Sequence, residues 1–154
     1  MITLLKNARI LTMKDDKVFH GDLLVKDNKI EYIGPDYNGE APDRIIECDG
    51  NLLMPGFKDA HAHTAMVFAR SAADDLPLDR WLHETIFPME AGFQDGDIYH
   101  LTKLGILEYL TSGITAAFDM YFHVPEIVKA SEDLGFKSII LATSDQEPIS
   151  LLRE

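Results

Sequence analysis

Apolar positions along the chain change their spacing once, near residue 50. Upstream they form short alternating or β-rich runs, ITLLKNARILTM, VFHGDLLVKDNKIEYIG and RIIECDGNLLMPG, punctuated by Asp-Asp, Asp-Asn, Gly-Pro and Asp-Gly-Asn turn signals. Alternation of this kind marks half-buried strands, so residues 1–51 are expected to form a small antiparallel β region. Downstream the pattern becomes strand, long helix, strand, helix, strand. Residues 52–60 predict a buried strand. Residues 95–112 place Ile98, Leu101, Leu104, Leu107 and Leu110 on a helical face that closes at Gly113. ITAAFDMYF predicts a second strand, VPEIVKASEDLGF a helix with Pro125 near its start and Gly135 at its end, and KSIILATSD a third strand. Strands joined by helices imply a parallel sheet, whose functional groups gather at the strands' C-terminal ends.

Composition narrows the classes of function. The 154 residues are 46% hydrophobic, enough for an ordinary globular core and too much for a disordered chain. Fourteen basic against 26 acidic residues give a formal charge of -12, which repels phosphate backbones and anionic lipid, so neither nucleic acid nor membrane is an expected partner. Cys48 is the single cysteine, which rules out an intrachain disulfide and any cysteine-based zinc knuckle. The N-terminus lacks a basic segment ahead of an apolar run, and no stretch approaches the length of a membrane span. A cytoplasmic protein is expected.

The chemistry concentrates in LLMPGFKDAHAHTAM, where His61 and His63 stand one residue apart at the end of the first predicted strand of the helical region. Side chains at i and i+2 of a strand point the same way, so the two imidazoles can reach one point. Neutral imidazole suits zinc, nickel or iron better than magnesium or calcium. A His-x-His pair by itself is a weak motif, since strand-end histidines occur at this spacing without a ligand role.

Three segments add a family resemblance. MPGFKDAHAHTAM resembles the Pro-Gly-x-x-x-x-His-x-His segment of the amidohydrolase superfamily, and PLDRWLHETIFPMEAGF and LTSGITAAFDMYFH are similar to stretches of its aminohydrolase branch, the methylthioadenosine and S-adenosylhomocysteine deaminases. The resemblance implies an α/β fold: residues 1–51 as part of a small β-sandwich, and residues 52–154 as the first three βα units of a (β/α)8 TIM-like barrel. It implies a divalent metal, usually zinc, held by His61 and His63 together with a third histidine and an aspartate from later strands. It implies hydrolytic deamination of an adenosine-like or other N-heterocyclic compound, with Glu90 contacting ribose hydroxyls and Trp81 beside that pocket. Guanine, cytosine or chlorotriazine substrates are alternatives within the same superfamily.

No residue after KSIILATSD matches the third histidine, the acid-base glutamate or the metal aspartate that the resemblance requires. The expectation is therefore the first third of an enzyme, inactive by itself, holding its metal weakly or not at all, and prone to self-associate or to be completed by other chain segments. A noncatalytic binding or structural relic is the alternative from another class. S-adenosylhomocysteine-using homologues tend to carry an arginine at the end of strand three, where this chain has Ala142, and loss of that clamp argues against homocysteine-bearing substrates. Asp119, at the end of AAFD, is expected to form a turn or cap a helix.

Overall fold

The computed structural model describes residues 1–142. The chain divides into two compact units, Met1–Pro55 and Gly56–Glu154.

The first unit is one sheet built on a ten-residue strand, β1 (Ile2–Leu11). Strand β2 (Val18–Lys26) pairs antiparallel with β1, and β3 (Lys29–Gly34) pairs antiparallel with β2. Strands β4 (Arg44–Glu47) and β5 (Leu52–Leu53) also pair with β1, but parallel to it. The sheet is therefore mixed, not antiparallel as the turn signals suggest. The Asp-Asp and Asp-Asn signals account for the two hairpins; the segment after β3 instead returns to β1 by a crossover, which delivers a strand in the same direction. The ladder breaks between Leu5 and Ala8, where Asn7 takes φ 56° and the buried Asp22 carboxylate accepts its N–H at 2.9 Å. This bulge exchanges the faces of β1, so Ile2 and Leu4 pack with Leu24, whereas Ala8 and Ile10 pack with Leu23.

The second unit carries three parallel strands in the order β6 (Phe57–Ala62), β7 (Ile114–Tyr121), β8 (Lys137–Ala142). The expected buried strand over 52–60 is thus two strands in two sheets, β5 and β6, and both are largely exposed. The Met54-Pro55-Gly56 step explains the split. Proline offers no N–H to a ladder, and a Cβ on Gly56 would lie 2.3 Å from the Thr115 side chain.

Between β6 and β7 run a 3-10 helix (Thr64–Ala69), short helices α1 (Leu78–Trp81) and α2 (Phe87–Glu90) joined through a π turn (Leu82–Ile86), and the long α3 (Asp97–Thr111). Helix α4 (Val124–Leu134) connects β7 to β8. Gly113 at φ 79° and Gly135 at φ 62° end α3 and α4 in the left-handed conformation that glycine tolerates best. The buried side of α3 is Ile98, Thr102, Gly105 and Ile106, whereas Leu104, Leu107 and Leu110 are exposed. Stepping by three residues winds a stripe about 60° around an α-helix each time, so the leucines leave the sheet-facing side. Ile106 packs with Ala62, Ala117 and Phe136, and Ile98 with Ala65, Tyr121 and Ile127, which closes the helices over one face of the three strands. Among the described residues no helix is long and apolar enough to cross a membrane. The last part of KSIILATSD, the side chain of Ala142 and everything after it lie outside the described residues.

Candidate active site

His61 ends the exposed side of β6, and His63 follows the strand immediately. Their rings meet edge to face, and their Nε2 atoms lie 3.3 Å apart. His63 Nδ1 lies 2.6 Å from the Met120 carbonyl oxygen. A carbonyl can only accept, so Nδ1 carries the proton and donates it, which leaves Nε2 with its lone pair directed at His61. Two nitrogens bound at 2.0–2.1 Å to a tetrahedral ion would stand about 3.3–3.4 Å apart. The pair as it stands fits one edge of such a site, and its second nitrogen is already held by a backbone acceptor as metal-bound histidines usually are. Among the described residues no group of three His, Cys, Asp or Glu side chains converges to complete it.

The turn after the pair is anchored from the neighbouring strand. Asp119 is fully buried at the end of β7, and its Oδ1 accepts the Thr64 N–H at 3.1 Å. Thr64 opens the 3-10 helix, so Asp119 caps it from a distance of 55 positions in sequence. Asp59 accepts the His61 N–H at 3.2 Å. These contacts fix the backbone on both sides of the imidazoles; the other oxygen of Asp119, Oδ2, is buried and has no hydrogen-bond partner among the described residues.

His63 also lines a pocket of about 270 Å³ whose walls include Trp81, Ile86, Phe87, Glu90 and Tyr121. His61 is not among its lining residues, so the pocket meets the pair through His63. Trp81 is half-buried, and its Nε1–H donates to the Ala72 carbonyl at 3.2 Å, which turns the ring into a fixed wall. The π turn over Leu82–Ile86 inserts an extra residue into the helical run between Trp81 and Glu90, a device that recurs at functional sites. Glu90 is half-buried at the end of α2, and the Tyr121 hydroxyl donates to its Oε1 at 2.6 Å. Burial, and then the Glu90 carboxylate, push the Tyr121 phenol far above its ordinary range, so it stays protonated.

The structure thus gathers His63, Trp81 and Glu90 around one pocket, with His61 against His63. Two groups at this site are not visible in the pattern of the sequence. Met120 contributes only a carbonyl, and Tyr121 meets Glu90 across 31 positions with no helical or strand spacing to announce it.

The sequence profile of the amidohydrolase family matches residues 52–152. The chain belongs to the amidohydrolase family. Its curated relatives include the 5'-deoxyadenosine deaminase of Methanobrevibacter smithii, 40% identical over 137 residues that cover 89% of this chain and 32% of the relative. A 5-methylthioadenosine/S-adenosylhomocysteine deaminase of Thermococcus sibiricus is 36% identical over 140 residues, 91% of this chain and 33% of the relative. Among solved structures, an adenosine deaminase from Xanthomonas campestris with bound zinc superposes at a TM-score of 0.83 and 28% identity, over 89% of this chain and 33% of that one. This amidohydrolase therefore spans about a third of the length of the relatives it matches, and its parallel strands are part of their TIM-barrel fold.

Proposed function

We propose that this amidohydrolase chain supplies the first two metal ligands and one wall of the nucleoside pocket of a hydrolase that deaminates adenosine-type compounds. The observation that carries the reading is the His61–His63 contact, two Nε2 atoms 3.3 Å apart, with His63 lining the pocket that also contains Trp81 and Glu90. Deamination is the reaction of the relatives at 36–40% identity, by their names, and a neighbouring structure holds zinc.

In this reading His61 and His63 would hold the ion, with zinc the best fit to two neutral imidazoles, and iron or nickel as chemically acceptable substitutes. When bound, the metal supplies Lewis-acid polarisation and a water of lowered pKa for attack on a carbon–nitrogen bond. The remaining work belongs to the chain. The Met120 carbonyl keeps His63 in the tautomer that presents Nε2. Glu90 accepts hydrogen bonds from the ribose hydroxyls, since one carboxylate can serve two donors. Trp81, with Ile86 and Phe87 beside it, offers an apolar surface that excludes water and flanks the nucleoside. The ligand is thus a small N-heterocyclic compound, and the single cysteine is in keeping with action in a reducing, cytoplasmic setting.

The test is ammonia release by the protein expressed from its whole gene, assayed with 5'-deoxyadenosine, methylthioadenosine, adenosine, guanine, cytosine and a chlorotriazine. The reading expects turnover of the adenosine compounds that disappears in His61→Ala and in His63→Ala. Turnover of only the free bases or the chlorotriazine would replace the substrate class, and no turnover of any compound would favour a noncatalytic relic.

A further inference from the structure

We propose that Tyr121 is a positioning residue for Glu90 and that, through it, the strand β7 sets the preference of the pocket for a ribosylated ligand over a free base. This rests on the reading of Glu90 as the ribose acceptor.

Both partners line the same pocket, yet they come from unlike parts of the unit. Glu90 ends a four-residue helix that follows the π turn, and the segment leading into that arm contains three non-glycine residues at positive φ, Ser71, Ala73 and Asp75. A glutamate side chain has three rotatable bonds, and its orientation depends on the groups that meet its carboxylate. Tyr121 is the opposite. It closes a sheet strand, is 4% exposed, stacks on Phe122 with centroids 4.2 Å apart, and packs against Ile98 and Ile127. Its hydroxyl is thus an immobile donor, and the 2.6 Å bond transfers that rigidity to Oε1 of Glu90. A phenol that keeps its proton can act on a carboxylate only as a donor, so the bond leaves the remaining lone pairs of Glu90 to accept from a vicinal diol. Because a carboxylate can accept several hydrogen bonds at once, the tyrosine orients the group without competing for it. Preorganising an acceptor in this way lowers the cost of ordering it when the ligand binds.

A buried tyrosine could also use Glu90 merely to satisfy its hydroxyl, and a double-mutant cycle distinguishes the two roles. Steady-state kinetics are measured on the whole-gene protein and on Tyr121→Phe, Glu90→Gln and the double variant, with adenosine and with adenine as the free-base comparison. Ile127→Val serves as a packing control that lowers stability and leaves the hydroxyl in place. We expect Tyr121→Phe to raise KM for adenosine by about tenfold with kcat changed less than about twofold, to leave adenine unaffected, and to add nothing in the Glu90→Gln background. The packing control should show no such split. If Glu90→Gln raises KM for adenosine but Tyr121→Phe does not, or if the two effects simply multiply, the positioning role is wrong while the ribose reading stands. If Glu90→Gln itself fails to separate adenosine from adenine, both fall together. Should Tyr121→Phe prove unstable, a split equal to that of Ile127→Val at matched loss of stability would also overturn the proposal.

Discussion

Gly105 in α3 lies so close to the turn after the histidine pair that a Cβ built on it would stand 2.5 Å from the Thr64 carbonyl oxygen. Backbone cannot yield as a flexible side chain can, so α3 is seated against Thr64 by the absence of a side chain at this position. Gly105→Ala is expected to destabilise the protein by about 1–3 kcal/mol despite the better helix propensity of alanine, because overpacking outweighs propensity here. Urea unfolding measures it. The same substitution should weaken metal retention, since Thr64 directly follows His63; unchanged stability would mean that α3 is free to shift.

Tyr121 gives a pH dependence whose direction is fixed. Its phenol is held above the ordinary tyrosine value by burial and then by Glu90. Above about pH 10 the unfolded chain loses this proton while the folded one retains it, so the unfolded state binds fewer protons and stability falls as pH rises. The contribution is intact below that pH. Unfolding free energies of wild type minus Tyr121→Phe, measured from pH 8 to 11, should therefore narrow by up to about 1.4 kcal/mol per pH unit at the alkaline end. A gap that does not depend on pH would contradict the placement of the phenol.

Expressed by itself, the 154-residue chain should hold zinc weakly and release no detectable ammonia from adenosine compounds. Two imidazoles leave a tetrahedral ion half filled with water, and affinity grows with the number of fixed ligands. Equilibrium dialysis against micromolar zinc, with and without a mild chelator, is the measurement. A stoichiometric ion that survives the chelator and vanishes in His61→Ala would reveal ligands beyond the pair.

The exposed leucines of α3 predict self-association of that same chain. Leu104, Leu107 and Leu110 are each 44–49% exposed, and Ile139 on β8 is 53% exposed. Apolar groups in such number on one small unit favour contact with further protein. Light scattering should show species larger than 17.3 kDa, and Leu104→Lys with Leu107→Glu should shift the distribution toward the monomer. A monodisperse wild-type monomer would show that these side chains are tolerated in water.

The parts of the fold that depend on local chemistry were legible from the chain. Gly113 and Gly135 mark helix ends because a left-handed residue is needed there, and the parallel order of β6, β7 and β8 follows from helices between short apolar strands. What depended on partners distant in sequence was not. The return of β4 and β5 beside β1 passes through Gly34-Pro35 and Asp49-Gly50-Asn51, turn signals that do not say which strand is paired or in which direction, so the first sheet reads as antiparallel although it is mixed. The leucine stripe of α3 reads as a core face because a three-residue repeat lies close to the helical period without matching it. At the site, the His-x-His spacing is visible and the resemblance supplies Trp81 and Glu90. The groups that meet His63 and Glu90, the Met120 carbonyl and the Tyr121 hydroxyl, emerge only when β7 is laid beside β6 and Glu90 reaches Tyr121.

The central claim is that His61 and His63 together hold a metal ion, and metal content tests it without reference to turnover. Elemental analysis of the protein expressed from its whole gene and purified in zinc-supplemented medium should find about one zinc per chain, falling to roughly a tenth or less in His61→Ala and in His63→Ala. His100→Ala, an exposed histidine on α3, should leave it unchanged. Zinc retained at full stoichiometry in both pair variants would contradict the account.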